Sequence, residues 1–254
     1  MSAQLVRWNA QGVLALAAGA ALILGCASGK GERRTIAISA NSEACTPARI
    51  EVKSGERVAF EVKNESTDDR EFEGIDGTKI DEVLVPAGRT RTINYTVQES
   101  TTPLKVKCYI PGGPTTLIEL VVTGKVEATG GKDVNDEGER AFKTKRSPKA
   151  TVNVRLDSFS VKPDQASVAA GPIKFVATND HAKDIHELAV LRVREDGSLQ
   201  NTGEIEDIDP RKSGEVVLDL PKGKYQLACL ITPGEAGSTV HHYKTGMRVD
   251  FEVR

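Results

Sequence analysis

The sequence predicts an all-β protein that consists of two antiparallel β-sandwich domains in tandem. Residues 50–64 and residues 166–179 alternate apolar and polar side chains on either side of a glycine-containing turn. This period of two is typical of paired strands with one buried face. Similar short segments recur at intervals of about ten residues, and no long amphipathic helix pattern interrupts them.

Length and charge limit the classes of protein that fit. The chain has 254 residues, of which 39% are hydrophobic, so it can bury two cores of roughly 100 residues each. The 34 basic and 36 acidic residues are mixed along the chain and give a formal net charge of −2. No sustained basic face is expected, which argues against nucleic acid as a partner.

Residues 1–25 are interpreted as a lipoprotein signal peptide. Arg7 precedes an apolar run, residues 13–24, that is too short for a comfortable bilayer span and typical of an export signal. The following sequence, Ile-Leu-Gly-Cys at 23–26, resembles a bacterial lipobox. This resemblance implies lipidation of Cys26 and an extracytoplasmic protein anchored to a bacterial membrane. The alternative is a simple secretory signal in which Cys26 falls near the cleavage point.

The rest of the chain divides into four segments. A polar tether, residues 26–33, leads into the first β domain, residues 34–124. Residues 125–150 are charged, contain glycine and are poor in β-branched and aromatic residues. Such a segment cannot bury enough apolar surface to offset its ordering entropy, so a flexible linker is predicted. The second β domain is expected at residues 151–254.

The two domains repeat one order of motifs. In each, an alternating strand ends in asparagine, Asn64 or Asn179, and a short polar loop follows. Glu and an apolar residue begin the next strand, and a later strand ends in cysteine, Cys108 or Cys229, with Pro-Gly beyond it. Self-similarity of this kind predicts that one fold is used twice.

Four residues of the second domain resemble the type 1 copper site of the cupredoxin family. They follow in the order His, Cys, His, Met at His186, Cys229, His242 and Met247. The resemblance implies a Greek-key cupredoxin-like β-sandwich that holds one copper ion, with His186, Cys229 and His242 as trigonal ligands and Met247 as a weak axial ligand. A thiolate, two imidazoles and a distant thioether suit both copper oxidation states and therefore electron transfer.

Two features of the ligand segment depart from the simplest pattern. Twelve residues separate Cys229 from His242, more than in better-known cupredoxins, although a long loop can fold outward without moving its ends. His241 precedes His242, and side chains of consecutive residues on an extended segment point to opposite faces. The spacing to Met247 favours His242, which leaves His241 as an alternative ligand or as a group near the surface that serves as a partner contact or electron exit.

The first domain lacks this ligand set. Arg70 stands where the second domain has His186, and neither His nor Met follows Cys108. Two cysteines in an exported domain without imidazole are most simply interpreted as a disulfide, Cys45 to Cys108. Such a bridge would stabilise a small domain by roughly 2 to 4 kcal/mol.

The first domain also resembles the small cupredoxin domain of Efe-type bacterial iron-uptake proteins. The resemblance covers residues 35–124 and depends on CTP near the start and EFE after the asparagine loop. It implies a non-blue metal site at Glu71 and Glu73, with Asp81 or Glu82 farther on. The alternative is that the alternating glutamates form a solvated strand face and bind nothing.

Three functions are compatible with the sequence. The favoured one is a blue-copper electron carrier that serves an unidentified redox partner protein in the cell envelope. The alternatives are a copper or iron handling and delivery lipoprotein and a metal-free adhesive sandwich. An enzyme is not expected, because the chain has four histidines and no His-x-His pair. Only His181 and His241 would remain for a second copper centre.

Overall fold

A computed structural model describes residues 33–126 and 142–254. The predicted signal peptide, Cys26, the rest of the tether before Arg33 and residues 127–141 of the predicted linker lie outside this range. Within the two described stretches, no helix is long and apolar enough to cross a membrane.

The first domain is a sandwich of nine strands in two sheets. The strands are β1 (Arg34–Ala40), β2 (Cys45–Thr46), β3 (Arg49–Ser54), β4 (Arg57–Asn64), β5 (Arg70–Ile75), β6 (Val83–Val85), β7 (Thr90–Thr96), β8 (Leu104–Tyr109) and β9 (Thr115–Lys125). One sheet has the order β2-β1-β4-β7, and the other has the order β3-β9-β8-β5-β6.

The second domain repeats this arrangement. Its strands are β10 (Ala150–Asp157), β11 (Ser160–Pro163), β12 (Ser167–Val168), β13 (Gly171–Asn179), β14 (His186–Val193), β15 (Leu199–Ile208), β16 (Ser213–Leu220), β17 (Gly223–Ala228) and β18 (Arg248–Val253). The sheets have the orders β11-β10-β13-β16 and β12-β18-β17-β14-β15. Each strand of the first domain thus has its counterpart nine strands later, which confirms the predicted all-β tandem fold. The prediction of wholly antiparallel sheets is wrong, because β1 pairs parallel with β4 and β3 pairs parallel with β9, and their counterparts in the second domain do the same.

The alternating patterns form the two cores. Along β4, Val58, Phe60 and Val62 point inward and are fully buried, and Ile173, Phe175 and Ala177 do the same along β13. Burying a large apolar side chain contributes roughly 1.5 to 3 kcal/mol, so these inward positions select the register of each strand.

Part of the segment predicted to be a flexible linker pairs with β16, an edge strand. The Thr144 amide donates to the carbonyl of Val217, and the Asp219 amide donates to the carbonyl of Phe142. Arg146 forms an ion pair of 2.5 Å with Asp219. This segment therefore satisfies backbone groups that an edge strand would otherwise leave unpaired.

The outer face of β8 packs against the second domain. Val106 and Cys108 lie in the core of the first domain, whereas Lys107 and Tyr109 point to the opposite side of the sheet. Both side chains are nevertheless buried. Lys107 lies beside Glu235 of the second domain, and Tyr109 packs with Ala189, Leu191, Ala228 and Leu230.

Candidate metal centre

The predicted ligands converge at one end of a sheet. His186 begins β14, Cys229 directly follows β17, and Met247 directly precedes β18. Strands β14 and β18 both pair antiparallel with β17, so the start of each meets the end of β17. Antiparallel pairing thereby brings together side chains that are far apart in sequence.

Three of the predicted ligands lie close together. The Nδ1 atoms of His186 and His242 are 3.3 Å apart, and the Cys229 Sγ atom is 3.2 Å from Nδ1 of His242. The donor atoms of all three lie within 4.8 Å of each other. The side chains are buried, with exposed fractions of 1% for His186, 0% for Cys229 and 2% for His242.

Burial sets the protonation of this group. It lowers the pKa of His186, and it lowers the pKa of His242 to about 4. Both imidazoles are therefore neutral near pH 7, which is the form that binds metal ions. Burial also raises the pKa of the Cys229 thiol well above its usual range.

The arrangement of the donors fits a metal ion. Nε2 of His186 is buried and has no hydrogen-bond partner among the described residues, and Nε2 of His242 lies 3.1 Å from the Ser238 hydroxyl. When each neutral imidazole carries its proton on Nε2, both Nδ1 lone pairs and the Cys229 sulfur face one point. In that tautomer a cation between the two nitrogens and the sulfur would be bound by all three.

Met247 is tied to the other ligands through its backbone. Its amide donates to the His242 carbonyl over 3.0 Å, and its carbonyl accepts from the Cys229 amide over 3.0 Å. Its side chain is fully buried in the same apolar cluster as Cys229. Residues 243–246 thus form a short turn that returns the chain to the site.

Asn179 and the loop after it set the position of His186. The Asn179 side-chain amide donates to the carbonyls of Asp184 and Ile208, each over 2.8 Å. Within the loop, Nδ1 of His181 accepts from the Asp184 amide over 2.8 Å. His181 therefore serves as a loop cap and not as part of the three-residue cluster.

His241 is partly exposed and lies next to the first domain. It faces the backbone of Gly113 there. Burial is the main cause that lowers its pKa. The side chain is separated from the cluster because His242 occupies the inward position.

The equivalent place in the first domain has a different chemistry. Arg70 begins β5 as His186 begins β14. Three residues farther on, Glu73 pairs with Lys107 and Ala189 pairs with Ala228. The residues that follow, Cys108 and Cys229, are therefore counterparts. Cys108 forms the predicted disulfide with Cys45, so its sulfur is not a ligand.

The interpretation of Glu71 and Glu73 as a solvated face is wrong. Their exposed fractions are 1% and 4%, because the second domain covers this side of β5. Glu73 lies close to Glu204 and Glu206 of the second domain, with carboxylate oxygens within 4.8 Å of one another. The clustered acidic side chains therefore belong to the domain interface.

A buried lysine, which sequence reasoning missed, stands among these carboxylates. The ammonium group of Lys107 lies 3.3 Å from Glu73 and 3.1 Å from Glu235. Burial raises the pKa values of Glu73, Glu187 and Glu235 to about 7, although Lys107 opposes the shift. The sequence held one sign of this domain interface, since the apolar run in β14 predicts a strand that is buried on both faces.

Two sandwiches with one strand order, the second with a buried His-Cys-His cluster, define a tandem cupredoxin-fold protein. In agreement, the family model described as a cupredoxin-like domain matches residues 13–101, about a third of the chain. The match begins within the segment interpreted as a signal peptide. No curated protein matches the chain in sequence.

Solved structures with some likeness to the chain include two auracyanins and a blue copper oxidase. Auracyanin B is 18% identical over 46% of this chain and 96% of its own, with a TM-score of 0.36. Auracyanin of Roseiflexus castenholzii is 17% identical over 42% and 99%, with a TM-score of 0.34. The blue copper oxidase of Nitrosomonas europaea is 13% identical over 88% and 86%, with a TM-score of 0.32.

Proposed function

We propose that the protein is a blue-copper electron carrier with one type 1 site. The observation that supports this most directly is the buried convergence of His186, Cys229 and His242. In this proposal the two neutral imidazoles and the Cys229 thiolate would hold the ion, with the Met247 thioether as a weaker ligand. Copper bound by such a set would supply one-electron transfer.

Burial of the ligands favours retention of the metal over delivery. No side chain of the cluster exposes more than 2% of its surface, and Phe159 packs its ring edge-on against His242 with centroids 5.1 Å apart. A delivery protein must present its ligands to an acceptor that exchanges the metal. The alternative of a copper or iron handling lipoprotein therefore has less support.

The number and positions of the histidines argue against an oxidase or a reductase. Beyond the two proposed ligands, the chain has only His181 and His241. Nδ1 of His181 caps a loop, and His241 faces the first domain. We therefore propose that the protein transfers electrons without a second copper centre and is not an enzyme.

The proposed location is outside the cytoplasm, with a lipid anchor at Cys26 and a redox partner protein in the cell envelope. Support comes from the lipobox-like sequence and from the Cys45–Cys108 disulfide, because disulfides persist in oxidising compartments. The test is fractionation of cells that express the full chain or Cys26→Ser. Equal membrane retention of both forms would exclude lipidation at this residue.

The copper proposal is tested by adding Cu(II) to the purified chain and recording its visible spectrum. An intense blue thiolate-to-copper band is expected, and it should be lost in Cys229→Ser and His242→Gln. The matched control is His241→Gln, which changes the adjacent histidine and should keep the band. A colourless wild-type protein, or loss of the band in His241→Gln alone, would overturn the proposed ligand set.

Chemical reduction of the copper-loaded protein distinguishes an electron carrier from the two alternative functions. Reversible one-electron reduction with retention of the metal is expected for a carrier. Rapid loss of the metal to a chelator in both oxidation states would favour delivery, and failure to bind any metal would favour the adhesive alternative.

A further inference from the structure

The long loop between Cys229 and His242 is held by the first domain. The ammonium group of Lys107 donates to Glu235 Oε1 over 3.1 Å. That of Lys105 donates to the Gly234 carbonyl over 2.5 Å. Asp76 accepts from the Ala236 amide over 2.9 Å. Three consecutive residues of the loop are thus bound by side chains from β8 and from the turn after β5.

The same contacts continue inside the loop to the cluster. Glu235 Oε2 accepts from the Thr232 amide over 3.0 Å, and the Glu235 carbonyl accepts from the Ser238 amide over 2.8 Å. The Ser238 hydroxyl then lies 3.1 Å from Nε2 of His242, whose own amide donates to the Ile231 carbonyl over 2.9 Å. Glu235 therefore joins the first domain to the side chain and backbone of one proposed ligand.

The first domain anchors the loop at two places, through Lys107 and through the neighbouring pair Lys105 and Asp76. These two anchors differ in their exposure to solvent. The Lys107 and Glu235 side chains are 1% and 5% exposed, and Glu73 provides a second carboxylate for Lys107. Removing Lys107 would therefore leave two buried carboxylates without their cation, whereas Lys107 would keep Glu73 as a partner after removal of Glu235. The Lys105 and Asp76 side chains are 33% and 30% exposed, so water can replace part of this contact.

We propose that the first domain positions the metal-binding loop, with Asp76, Lys107 and Glu235 as positioning residues. By fixing residues 234–236 it holds Cys229 and His242 in place before metal binds, which lowers the ordering cost of binding. This function accounts for the unusual length of the loop, since a short loop would not reach β8. The metal part of this inference rests on the proposed copper site, whereas loop fixation itself does not.

The first test uses the metal-free protein. In a Cys26→Ser background, Cys229 is the single cysteine outside the disulfide, and its reaction with a thiol reagent such as DTNB reports opening of the loop. Asp76→Ala and Glu235→Gln are each expected to raise this rate about tenfold, the effect of about 1.4 kcal/mol less protection. Glu235→Gln keeps the shape of the side chain and an oxygen for the Thr232 amide.

The control is Arg49→Ala, which removes an exposed ion pair of the first domain with Glu119 that does not contact the loop. Its thiol rate should equal that of the wild type. The inference would be overturned if the thiol reaction rates of Asp76→Ala and Glu235→Gln both equalled that of Arg49→Ala. Asp76→Asn, at the partly exposed anchor, replaces any variant that fails to fold and should give a smaller increase.

The second test is the spectrum of the copper-loaded variants. If the first domain positions the ligands, Glu235→Gln should shift the thiolate-to-copper band or the reduction potential, and Arg49→Ala should leave both unchanged. Unaltered values in Glu235→Gln and Asp76→Ala would contradict positioning. A wild-type protein that binds no copper would refute the proposed function, while the thiol rates would still decide whether the first domain fixes the loop.

Discussion

Asn64 and Asn179 make the same hydrogen bonds in the two domains. Each ends a strand, and each donates through its side-chain amide to two carbonyls, those of Asp68 and Val85 in the first domain. The side-chain oxygen of each accepts from a loop amide two residues on. The loop that precedes the proposed ligand His186 is thus a general part of the fold, also present where no ligand follows it.

Replacing Asn179 should therefore affect both stability and the metal site. Asn179→Ala leaves buried carbonyls unsatisfied, and we expect the free energy of unfolding to fall by about 1 to 3 kcal/mol in urea denaturation. Copper affinity should also fall, because the loop sets the position of His186. Asn64→Ala should destabilise the first domain by a similar amount.

The control for this prediction is Asn153→Ala, which removes an exposed hydrogen bond to Asp164. It should change stability by less than about 0.5 kcal/mol. If Asn179→Ala were no more destabilising than this variant, the loop would not depend on the buried amide.

The disulfide between Cys45 and Cys108 joins the two sheets of the first domain across 63 residues of sequence. Replacing both cysteines by alanine should lower the free energy of unfolding by about 2 to 4 kcal/mol, because the unfolded chain regains the entropy of an open loop. Urea denaturation of the oxidised protein and the double variant measures this difference. Equal midpoints and slopes would show that the bridge contributes nothing to stability.

The sequence predicted what local periodicity and motif order determine. Alternation identified the inward residues of β4 and β13, and the repeat identified Asn64 with Asn179. The cluster of His186, Cys229 and His242 was predicted from the resemblance to a ligand order, and antiparallel pairing brings these residues together. These features depend on contacts within one domain.

The domain interface was not predicted, because period-two alternation places Lys107 and Glu73 on the outer face of a sheet, where solvent is the default neighbour. Which outer faces pack together depends on both domains and leaves a weak local signal. The continuous apolar run in β14 was that signal, since a strand exposed on one face would carry polar residues there.

Protonation of Glu73 should make stability depend on pH. Burial raises its pKa from the ordinary 4.5 to about 7, so the folded protein retains a proton that the unfolded chain has lost. The contribution of this proton to the free energy of unfolding is fully present below pH 4.5 and is lost as the pH rises through about 7. Lys107, Glu204, Glu206 and Glu235 face the group, and Lys107 partly opposes the shift.

Urea denaturation of the metal-free protein at pH 6.5 and pH 8 measures this effect. His186, His241 and His242, whose pKa values are lowered from 6.5, act in the opposite direction, but most of their contribution is gained below about pH 6.5. Stability should therefore fall between the two pH values, and Glu73→Gln should reduce the fall. A fall of the same size in Glu73→Gln would assign the dependence to other groups.

Gly112 and Tyr243 form a close contact between the domains. Gly112 has a φ of +72°, and a Cβ atom there would lie 2.5 Å from the Tyr243 ring, one residue from His242. Gly112→Ala should therefore displace the ring, weaken the domain contact and shift the copper spectrum. Gly88 is the matched control, because its φ is +67° and a Cβ atom there would have no neighbour within 4 Å.

Both alanine variants bear the cost of a left-handed backbone, roughly 1 to 2 kcal/mol, so their difference isolates the contact. We expect Gly112→Ala to lower the free energy of unfolding by about 1 to 3 kcal/mol more than Gly88→Ala. Only Gly112→Ala should alter the spectrum, since the Tyr243 hydroxyl also donates to Gln226 on β17, three residues before Cys229. Identical stabilities and spectra for the two variants would mean that the ring moves aside freely and that the domains do not depend on this contact.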